Sequence, residues 1–489
     1  MYNELNATPY QKAGDFNLSS FINLISYQYD ANGSDLKRLN IHNLVQQIEI
    51  FESISSNVIT GSIAILDATG TFKDMQISGF ERLEFKCSTP GLDRIYDFTT
   101  ATGSPVFVHH ITNREQIADN VQQYVLHFCS MERAMNQSTL FSHAYTNSHE
   151  AIVQDILRTH LKSKKNFFFE PSSSLFKHVI PYTSPFSAIN YLAGETQSKA
   201  HNSAGYRFYE TSQGFYFRSI ASMMSYGGDR EIPHKWSFAS LIASQTEYDK
   251  QPERKDIERR MSNALKYEFT KPVDTLRNIN EGFYANKLTV HDAFNKTLKT
   301  HTFNYMDAGV VRPHTHMNKD AGLLMPNSND HVGVPFDEQD ILSSQADSKT
   351  MVVTETSKVH NDYEFTPTKD TLPFIVHDRA GFKNHNLSLL VFGNTQINAG
   401  DIIKFTSPLL RPEGGDSPYT SGRYIVMAIK HVVNIEAQRH EMVLKCYKDS
   451  VRNEYPREED AVFALGKGKV SGNFDIYREQ RNEMAIENT

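Results

Sequence analysis

Histidine is the residue type in this sequence that comes closest to forming a cluster capable of chemistry. Four histidines, His301, His314, His316 and His331, fall within one polar stretch, which also holds Asp320 and Asp330. Imidazole and carboxylate groups are common ligands of metal ions such as Zn²⁺. The stretch has no thiol, no identifiable group to orient the ligands, and the composition of a loop. We therefore expect solvent-exposed histidines here rather than a metal site.

Motifs of hydrolases and nucleotide-binding enzymes are not completed in this chain. His149-Glu150 begins like the zinc-protease motif H-E-x-x-H, but Val153 stands where the second histidine is required. The sequence contains no G-x-S-x-G nucleophile motif and no phosphate-binding P-loop. A pair of carboxylates at a glycosidase separation cannot be recognised from spacing alone. We predict no catalytic residue, no metal ligand, no cofactor and no enzymatic activity.

Composition indicates an ordinary globular protein of several domains. At 489 residues the chain is too long for one core, and its 31 Phe and 23 Tyr favour strands. The formal charge of −7 argues against a protein that binds DNA by releasing counterions. Cys87, Cys129 and Cys446 are far apart in strand-like runs, so we predict reduced, buried thiols. We see no secretion signal at the N-terminus and no run of membrane-spanning length.

The clearest strand pattern runs from Leu387 to Val451. Leu387, Leu389 and Val391 lie on one side of an alternating run, and similar runs follow after short turns and a Pro/Gly loop. Alternation with period two predicts antiparallel strands. Several of these strands are apolar on both faces, which favours a barrel whose outer wall packs against another element.

A second barrel-like region extends from Ile41 to Ser130. Its last strand places Tyr124 and Leu126 on the same face. His109 and His110 are adjacent in another predicted strand, so we expect one ring in the core and the other at the surface.

The N-terminal residues up to about Leu39 are polar and irregular around a short apolar anchor. The anchor residues are Phe21, Ile22, Leu24 and Ile25. Two interpretations remain open, an arm that docks on a neighbouring subunit and a first strand of the same barrel.

The region from Met131 to about Ser225 changes to a mixed pattern. Apolar residues at helical spacing predict a helix over His149 to Leu161. Ser184 and Pro185 have the N-cap and first-turn positions of another helix. Tyr206 to Phe217 reads as a hairpin around a short turn. We predict a small α+β domain.

The remaining segments are connectors or extensions. The mixed-charge run from Gln251 to Arg260 predicts a solvated helix face or connector. Gly282 to Tyr305 reads as two strands. Met306 to about Leu372 is polar without periodicity, which suits an insertion outside a barrel or an arm. Gly466 to Lys469 reads as a flexible joint, and Phe474 to Ile486 as a docking segment for a partner.

Both barrel-like regions resemble the central baseplate-hub proteins of contractile-tailed bacteriophages. In the C-terminal region the matching positions are Gly393, Asn394, Gly400, Asp401, Ser421, Gly422, Arg423, Tyr424, Lys430, His431 and Asp449. In the N-terminal region they are Phe51 to Ile54, Thr60 to Ile63 and Asp67 to Gly70. We expect Gly393-Asn394 and Ala399-Gly400 to supply the positive φ that tight turns need. These positions are marks of architecture, not of chemistry.

The resemblance implies an α+β, mainly β protein with two tube-type antiparallel β-barrel domains, an inserted small α+β domain and a long loop insertion. Gly282 to Tyr305 would begin the second barrel. The expected parts are an N-terminal arm (1–40), a first barrel (41–130), an inserted domain with connector (131–275), a second barrel (276–305 and 373–452), a polar loop insertion (306–372) and a C-terminal extension (453–489).

The resemblance also implies a structural protein of the virion, made in the bacterial host cytoplasm. It would form a homotrimer whose six barrels adapt a six-fold tail tube to a three-fold central spike. The expected partners are the tail tube protein or a tube-initiating ring above, the spike or a spike-lysozyme below, and other baseplate and tape-measure proteins. DNA would pass through the channel without specific binding, and a net negative lining would suit that passage. No membrane insertion is expected.

Two alternatives remain open. One is the hub of a related contractile injection system. The other, from a different class, is a cell-wall hydrolase with β-barrel binding domains, which predicts acidic pairs in a concave cleft and activity on peptidoglycan.

Overall fold

The computed structural model describes the chain in sixteen stretches. They are residues 12–29, 36–70, 77–102, 104–173, 175–200, 204–224, 236–240, 260–271, 275–283, 285–292, 295–304, 349–354, 368–381, 385–407, 417 and 420–448. The predictions for residues 251–259, 314–331 and 466–486 fall outside these stretches.

The first barrel-like region, called the first barrel below, has ten strands within the described stretches. They are β1 (Asn17–Leu18), β2 (Asn23–Tyr29), β3 (Leu36–Asn40), β4 (Val45–Ser53), β5 (Thr60–Asp67), β6 (Arg82–Glu84), β7 (Lys86–Ser88), β8 (Ile95–Asp97), β9 (Val106–Ala118) and β10 (Val121–Ser130). Seven of them pair in the order β4-β5-β10-β9-β6-β2-β3, and β1, β7 and β8 form a small second sheet. Single 3₁₀ turns lie at His42–Leu44 and Thr100–Thr102.

Apolar residues at alternate positions of these strands point inward and fill the core of the first barrel. Ile48, Ile63 and Leu126 are fully buried on the inner face, together with Phe85 and Phe128. Of the two interpretations of the N-terminal anchor, the structure shows a strand, because β2 pairs with β3 and β6 in the barrel sheet.

The inserted α+β domain follows the first barrel. Its elements are α1 (Met131–Ser138), β11 (Phe141–Ser148), α2 (His149–Asp155, continued by a π turn over Ile156–His160), β12 (Phe167–Phe169), β13 (Leu175–Thr183), α3 (Pro185–Glu195), β14 (Tyr206–Thr211), β15 (Gly214–Ser219) and α4 (Ile220–Met224). β11 pairs with β13, and β15 lies between β12 and β14. The predicted helix after His149, the N-cap at Ser184 and the hairpin around Ser212 are present.

The second barrel closes on itself. Its strands are β16 (Trp236–Ser240), β17 (Asn263–Lys271), β21 (Asn386–Phe392), β22 (Ile402–Thr406), β23 (Gly422–Asn434) and β24 (Arg439–Tyr447). They pair in the order β22-β16-β17-β21-β24-β23, and β23 pairs back to β22. Leu389, Phe405, Tyr424 and Leu444 are fully buried inside. The predicted barrel over the C-terminal strands is therefore present, and the fold is mainly β as expected.

The remaining elements are α5 (Thr275–Glu281), β18 (Ala285–Asp292), β19 (Thr297–Asn304), β20 (Thr350–Thr354) and α6 (Thr368–Gly381). β18 pairs with β19 and β20 in a separate sheet, and Phe303 packs edge-on against Phe374 of α6. The assignment of Gly282 to Tyr305 to the second barrel is therefore wrong. Strands β16 and β17, from the stretch that we assigned to the inserted domain and connector, fill that place. Alternation predicts a strand but not its partner.

The predicted polar insertion over 306–372 also contains regular structure in its described part, because β20 and the first turn of α6 lie within it. Cys87, Cys129 and Cys446 are buried, as predicted. Among the described residues, no helix has the length and apolar character needed to cross a bilayer.

Candidate assembly interface

Backbone pairing joins the two barrels into one continuous sheet. β4 of the first barrel pairs antiparallel with β23 of the second over seven residue pairs. On the outer face of this junction, Lys430 Nζ lies 2.8 Å from Glu49 Oε1 and 5.3 Å from the ring centre of Phe51. The barrels therefore meet through main-chain hydrogen bonds between β4 and β23, and a cross-strand ion pair lies over these bonds on the outer face.

Four strands of each barrel repeat the same order and the same register. The first unit is β4-β5-β10-β9 and the second is β17-β21-β24-β23. One row of Cα partners is Glu49, Ser62, His127 and His110 in the first unit, and Glu268, Ser388, Lys445 and Ala428 in the second. The next row is Ile48, Ile63, Leu126 and Ile111, matched by Tyr267, Leu389, Leu444 and Ile429.

The two units also share two β-bulges. His109 is the bulged residue of β9 and Met427 that of β23, while Gln46 is bulged in β4 and Leu265 in β17. Bulges are specific to position and set the local twist of a strand. Matching rows with matching bulges show that the chain contains a duplicated four-strand unit.

Each unit ends in two edges, and the junction uses one edge of each. The corresponding edges at the far ends are the outer edge of β17 and the second half of β9. Within the described stretches, β16 pairs with β17 only at Asn263 and Ala264. On the other edge, β6 pairs with β9 only at Val106 and Phe107. The rest of each edge has no strand beside it in these stretches. Both edges could accept another strand in the way that β4 accepts β23.

Glu52 lies at the point where three parts of the fold meet. Its carboxylate accepts a hydrogen bond from the Tyr96 hydroxyl of the first barrel at 2.7 Å. It also accepts from the backbone N–H of Ser212 in the inserted domain at 2.9 Å, and from that of Ala399 in the second barrel at 3.3 Å. Glu52 is 1% exposed. Burial outweighs these hydrogen bonds and raises the pKa of Glu52 to about 7.

Two buried histidines extend this contact into the second barrel. His431 Nε2 lies 3.0 Å from the Tyr96 hydroxyl, and His431 Nδ1 lies 3.1 Å from His440 Nε2. Burial lowers the pKa of His431 well below its usual value and that of His440 to about 4. Gly393 is required for close approach, because a Cβ there would overlap the His440 ring. It does not have the positive φ that we predicted, whereas Gly400 does.

The turn that precedes β22 packs on the other two parts of the fold. Thr395 and Thr89 exchange backbone and hydroxyl hydrogen bonds at 3.1 and 3.2 Å. Arg218 of β15 donates to the carbonyl of Gly400 at 3.1 Å and to the Tyr209 hydroxyl at 2.8 Å. This turn therefore ties the second barrel to both the first barrel and the inserted domain.

A buried ion network fixes the inserted domain to the first barrel. Lys165 Nζ lies 2.7 Å from Glu132 and 2.6 Å from Glu210. Glu210 also accepts from the Ser130 hydroxyl at 2.6 Å and from the backbone N–H of Ile59 at 2.9 Å. Burial alone would lower the pKa of Lys165, but the two carboxylates outweigh it and raise that pKa to about 12.

The motif positions singled out by sequence therefore contribute to this junction. Glu52, Gly393, Gly400 and His431 all lie in it, far apart in sequence and together in space. Sequence reasoning missed Tyr96 among the functional residues. A lone tyrosine in a short strand gives no signal of a buried hydrogen bond.

The histidine predictions have mixed outcomes. His301 lies on β19, and its three companions in the predicted cluster fall outside the described stretches. The described stretches hold no group of three or more potential metal ligands. The prediction for the adjacent pair is wrong, because the bulge at His109 leaves both His109 and His110 exposed.

No protein-family model matches this chain. No curated protein matches it either.

The solved structures that the chain resembles include two tail proteins and a PdpA–VgrG complex. A tail protein from Neisseria meningitidis is 8% identical, with 91% of this chain and 100% of that chain covered and a TM-score of 0.44. A 43 kDa tail protein of prophage MuSo2 from Shewanella oneidensis is 9% identical, with coverage of 88% and 98% and a TM-score of 0.44. The Francisella PdpA–VgrG complex is 13% identical, with coverage of 93% and 56% and a TM-score of 0.43.

Proposed function

We propose that this chain is the central hub of a contractile phage-tail baseplate, a structural virion protein that assembles as a homotrimer. The observation that carries the proposal is the duplicated four-strand unit, joined in one sheet through β4 and β23. Two equivalent barrels in one subunit give six equivalent barrels in a ring of three. Such a ring would match a six-fold tube on one side and a three-fold spike on the other, and its partners would be the proteins of those two structures.

The contact between subunits follows from the contact within the chain. We propose that the second half of β9 in one copy pairs with the outer edge of β17 in the next, as β23 pairs with β4. Contacts of this head-to-tail type form closed rings when the rotation closes. Three as the number of subunits rests on the sequence resemblance.

The repeat also supplies a register for this contact. Thr112 has the position of Lys430, because these residues pair with Val125 and Val443, which lie in equivalent places. Glu268 has the position of Glu49. Thr112 of one copy and Glu268 of the next would therefore lie in the same relation as Lys430 and Glu49, whose charged atoms are 2.8 Å apart.

The outer face of the joined sheet, opposite the two cores, is the face that such a ring would present to its channel. Glu49 pairs there with Lys430, and Glu441 lies 2.6 Å from Arg439. Because neighbouring bases neutralise these carboxylates, this face gives no support to the net negative lining expected from the chain's charge. Passage of DNA would rely instead on this local balance of charge.

The test is the mass of the full-length protein in solution, measured by light scattering at several concentrations. We expect a species of three chains. Thr112→Glu places a like charge beside Glu268 and should shift the equilibrium toward monomer. Thr112→Lys copies the ion pair of the junction and should favour the trimer, with an effect of about 0.2–1 kcal/mol per contact.

Three further measurements complete this test. The double variant Thr112→Glu with Glu268→Lys should recover the trimer, and Arg379→Glu, at an exposed position of α6, controls for charge reversal elsewhere. A mass of one chain at every concentration for all variants would refute the proposed contact. Digestion of peptidoglycan by the purified protein would favour the hydrolase and refute the structural role.

A further inference from the structure

Four buried side chains form an unbroken series of hydrogen bonds across the barrel junction. The series runs from Glu52 on β4 through Tyr96 on β8 and His431 on β23 to His440 on β24, with successive distances of 2.7, 3.0 and 3.1 Å. Each of the four is at most 1% exposed. Water therefore does not interrupt the series, and each member must satisfy its neighbours directly.

The ionised form of Glu52 dictates where every proton lies. A carboxylate only accepts, so the Tyr96 hydroxyl donates to Glu52 and its oxygen must accept from His431 Nε2–H. A neutral imidazole has one donor and one acceptor nitrogen, so His431 Nδ1 accepts from His440 Nε2–H. His440 Nδ1 is then an acceptor, and it has no hydrogen-bond partner among the described residues.

Addition of one proton reverses the whole series. If Glu52 is protonated and donates to the Tyr96 oxygen, the Tyr96 hydroxyl must donate to His431 Nε2. His431 then carries its proton on Nδ1 and donates to His440 Nε2, and His440 carries its proton on Nδ1. Both histidines remain neutral, Tyr96 keeps one proton, and the net gain is a single proton with no change in the number of hydrogen bonds.

We infer that Glu52, Tyr96, His431 and His440 together form one binding site for a single proton, whose uptake reverses the direction of every hydrogen bond in the series. The protonated series holds no charge, whereas the ionised series holds one negative charge at the meeting point of three parts of the fold. The inference goes beyond the proposed hub and does not depend on it.

Titratable and charged groups outside the series face its members. Cys87 on β7 faces Tyr96, and burial raises the pKa of that thiol to about 12. Arg94, before β8, also faces Tyr96 and donates to the carbonyl of Gln396 at 2.7 Å. Glu210 on β14 faces Glu52, and burial raises the pKa of Glu210 although Lys165 lies 2.6 Å away, so Glu52→Gln is needed to separate the bands of the two carboxyl groups. Among the described residues, His440 is the group that acts electrostatically on His431.

The pKa values of Glu52, His431 and His440 indicate that the series takes up one proton near neutral pH, not two. Burial raises the pKa of Glu52 to about 7, so a proton enters near neutrality. Burial lowers the pKa of both histidines, so neither takes a second proton until the solution is well acidic. Because proton uptake removes a buried charge, the closed junction binds the proton more tightly than a solvated Glu52 would.

Infrared difference spectroscopy across about pH 5 to pH 9 tests the inference on the full-length protein. Protonation of Glu52 creates a carboxylic-acid C=O band, and Glu52→Gln assigns that band by removing it. Histidine ring bands differ between the Nδ1–H and Nε2–H tautomers, and ¹⁵N-labelled histidine identifies them. We expect the carboxylic-acid band and the tautomer bands to change with one shared midpoint near pH 7.

Tyr96→Phe provides the second arm, because it removes the hydroxyl that links Glu52 to His431 and keeps the ring. We expect the carboxylic-acid band to titrate still, without the change in histidine tautomer. The other histidines of the chain contribute equally to both spectra, so the difference between wild type and Tyr96→Phe isolates His431 and His440. The inference is overturned if that difference shows no change in tautomer while Glu52 titrates, or if it shows imidazolium at the Glu52 midpoint. The difference between wild type and Glu52→Gln decides this if Tyr96→Phe fails to fold.

Discussion

Replacement of Glu52 by Gln should change how the stability of the protein depends on pH. Glu52 has a pKa of about 7 in the folded protein, against 4.5 for an ordinary glutamate. Between these two pH values the folded state binds a proton that the unfolded state does not. The contribution of Glu52 to stability is therefore fully present below about pH 4.5 and is lost as the pH rises through 7.

The size of this contribution to stability follows from the difference between the pKa of Glu52 in the folded protein and its ordinary value. Each pKa unit corresponds to about 1.4 kcal/mol, so a shift of 2.5 units, from 4.5 to about 7, changes the free energy of unfolding by about 3 kcal/mol. The glutamine variant has no such titration. It also places one amide hydrogen against the N–H of either Ser212 or Ala399, which costs about 1–3 kcal/mol at every pH.

The assay is urea unfolding of both proteins at several pH values, followed by circular dichroism. The difference between wild type and Glu52→Gln cancels the other titrating groups, the histidines included. Wild type should gain about 3 kcal/mol over the variant as the pH falls from about 8 to about 4.5. Glu49→Gln, on the same strand but partly exposed, controls for loss of a carboxylate. A difference that stays constant over this range would refute the buried, ionisable Glu52.

The remaining predictions concern packing and the buried ion network, and the same unfolding assay tests both. Gly393→Ala should destabilise the protein by about 1–3 kcal/mol, because the added methyl overlaps His440. Gly194→Ala, in open space on α3, should be neutral or slightly stabilising, and equal effects of the two changes would contradict the packing argument. Lys165→Met should cost about 3–5 kcal/mol by leaving two buried carboxylates unpaired, whereas Lys430→Met at a partly exposed pair should cost at most about 1 kcal/mol.

Alternation predicted the strands of this chain better than their partners. The runs around Leu389 and Leu126 became core strands with the predicted faces. The run from Gly282 to Tyr305 alternates equally well but joins another sheet. Pairing depends on contacts between distant residues, which a local pattern does not contain. The bulge at His109 was also invisible, because one extra residue moves a side chain to the other face without breaking the strand-like sequence.

Sequence reasoning was also of limited use for predicting the residues of the junction and their roles. The resemblance to baseplate-hub proteins marked Glu52, Gly393 and His431 as architectural positions, and turn chemistry predicted the positive φ of Gly400. The role of Gly393 required the structure, because close approach of the His440 ring, not a positive φ, excludes a side chain there. Hydrogen bonds among Glu52, Tyr96 and His431 join strands that are distant in sequence, so no local motif could predict them.

In the proposed ring, the duplicated unit gives a physical reason why one contact would be internal and the other left to assembly. At the internal junction, the position after Lys430 is His431, which is buried and hydrogen-bonded to Tyr96. On the far edge, Thr112 has the position of Lys430, and the exposed, polar Asn113 follows it at a break in the register. In the proposed ring, a subunit would expose that edge until it met its neighbour, and polar side chains protect an exposed edge from non-specific strand pairing. The buried series of hydrogen bonds would therefore lie at the permanent junction, and the polar edge at the boundary that forms last.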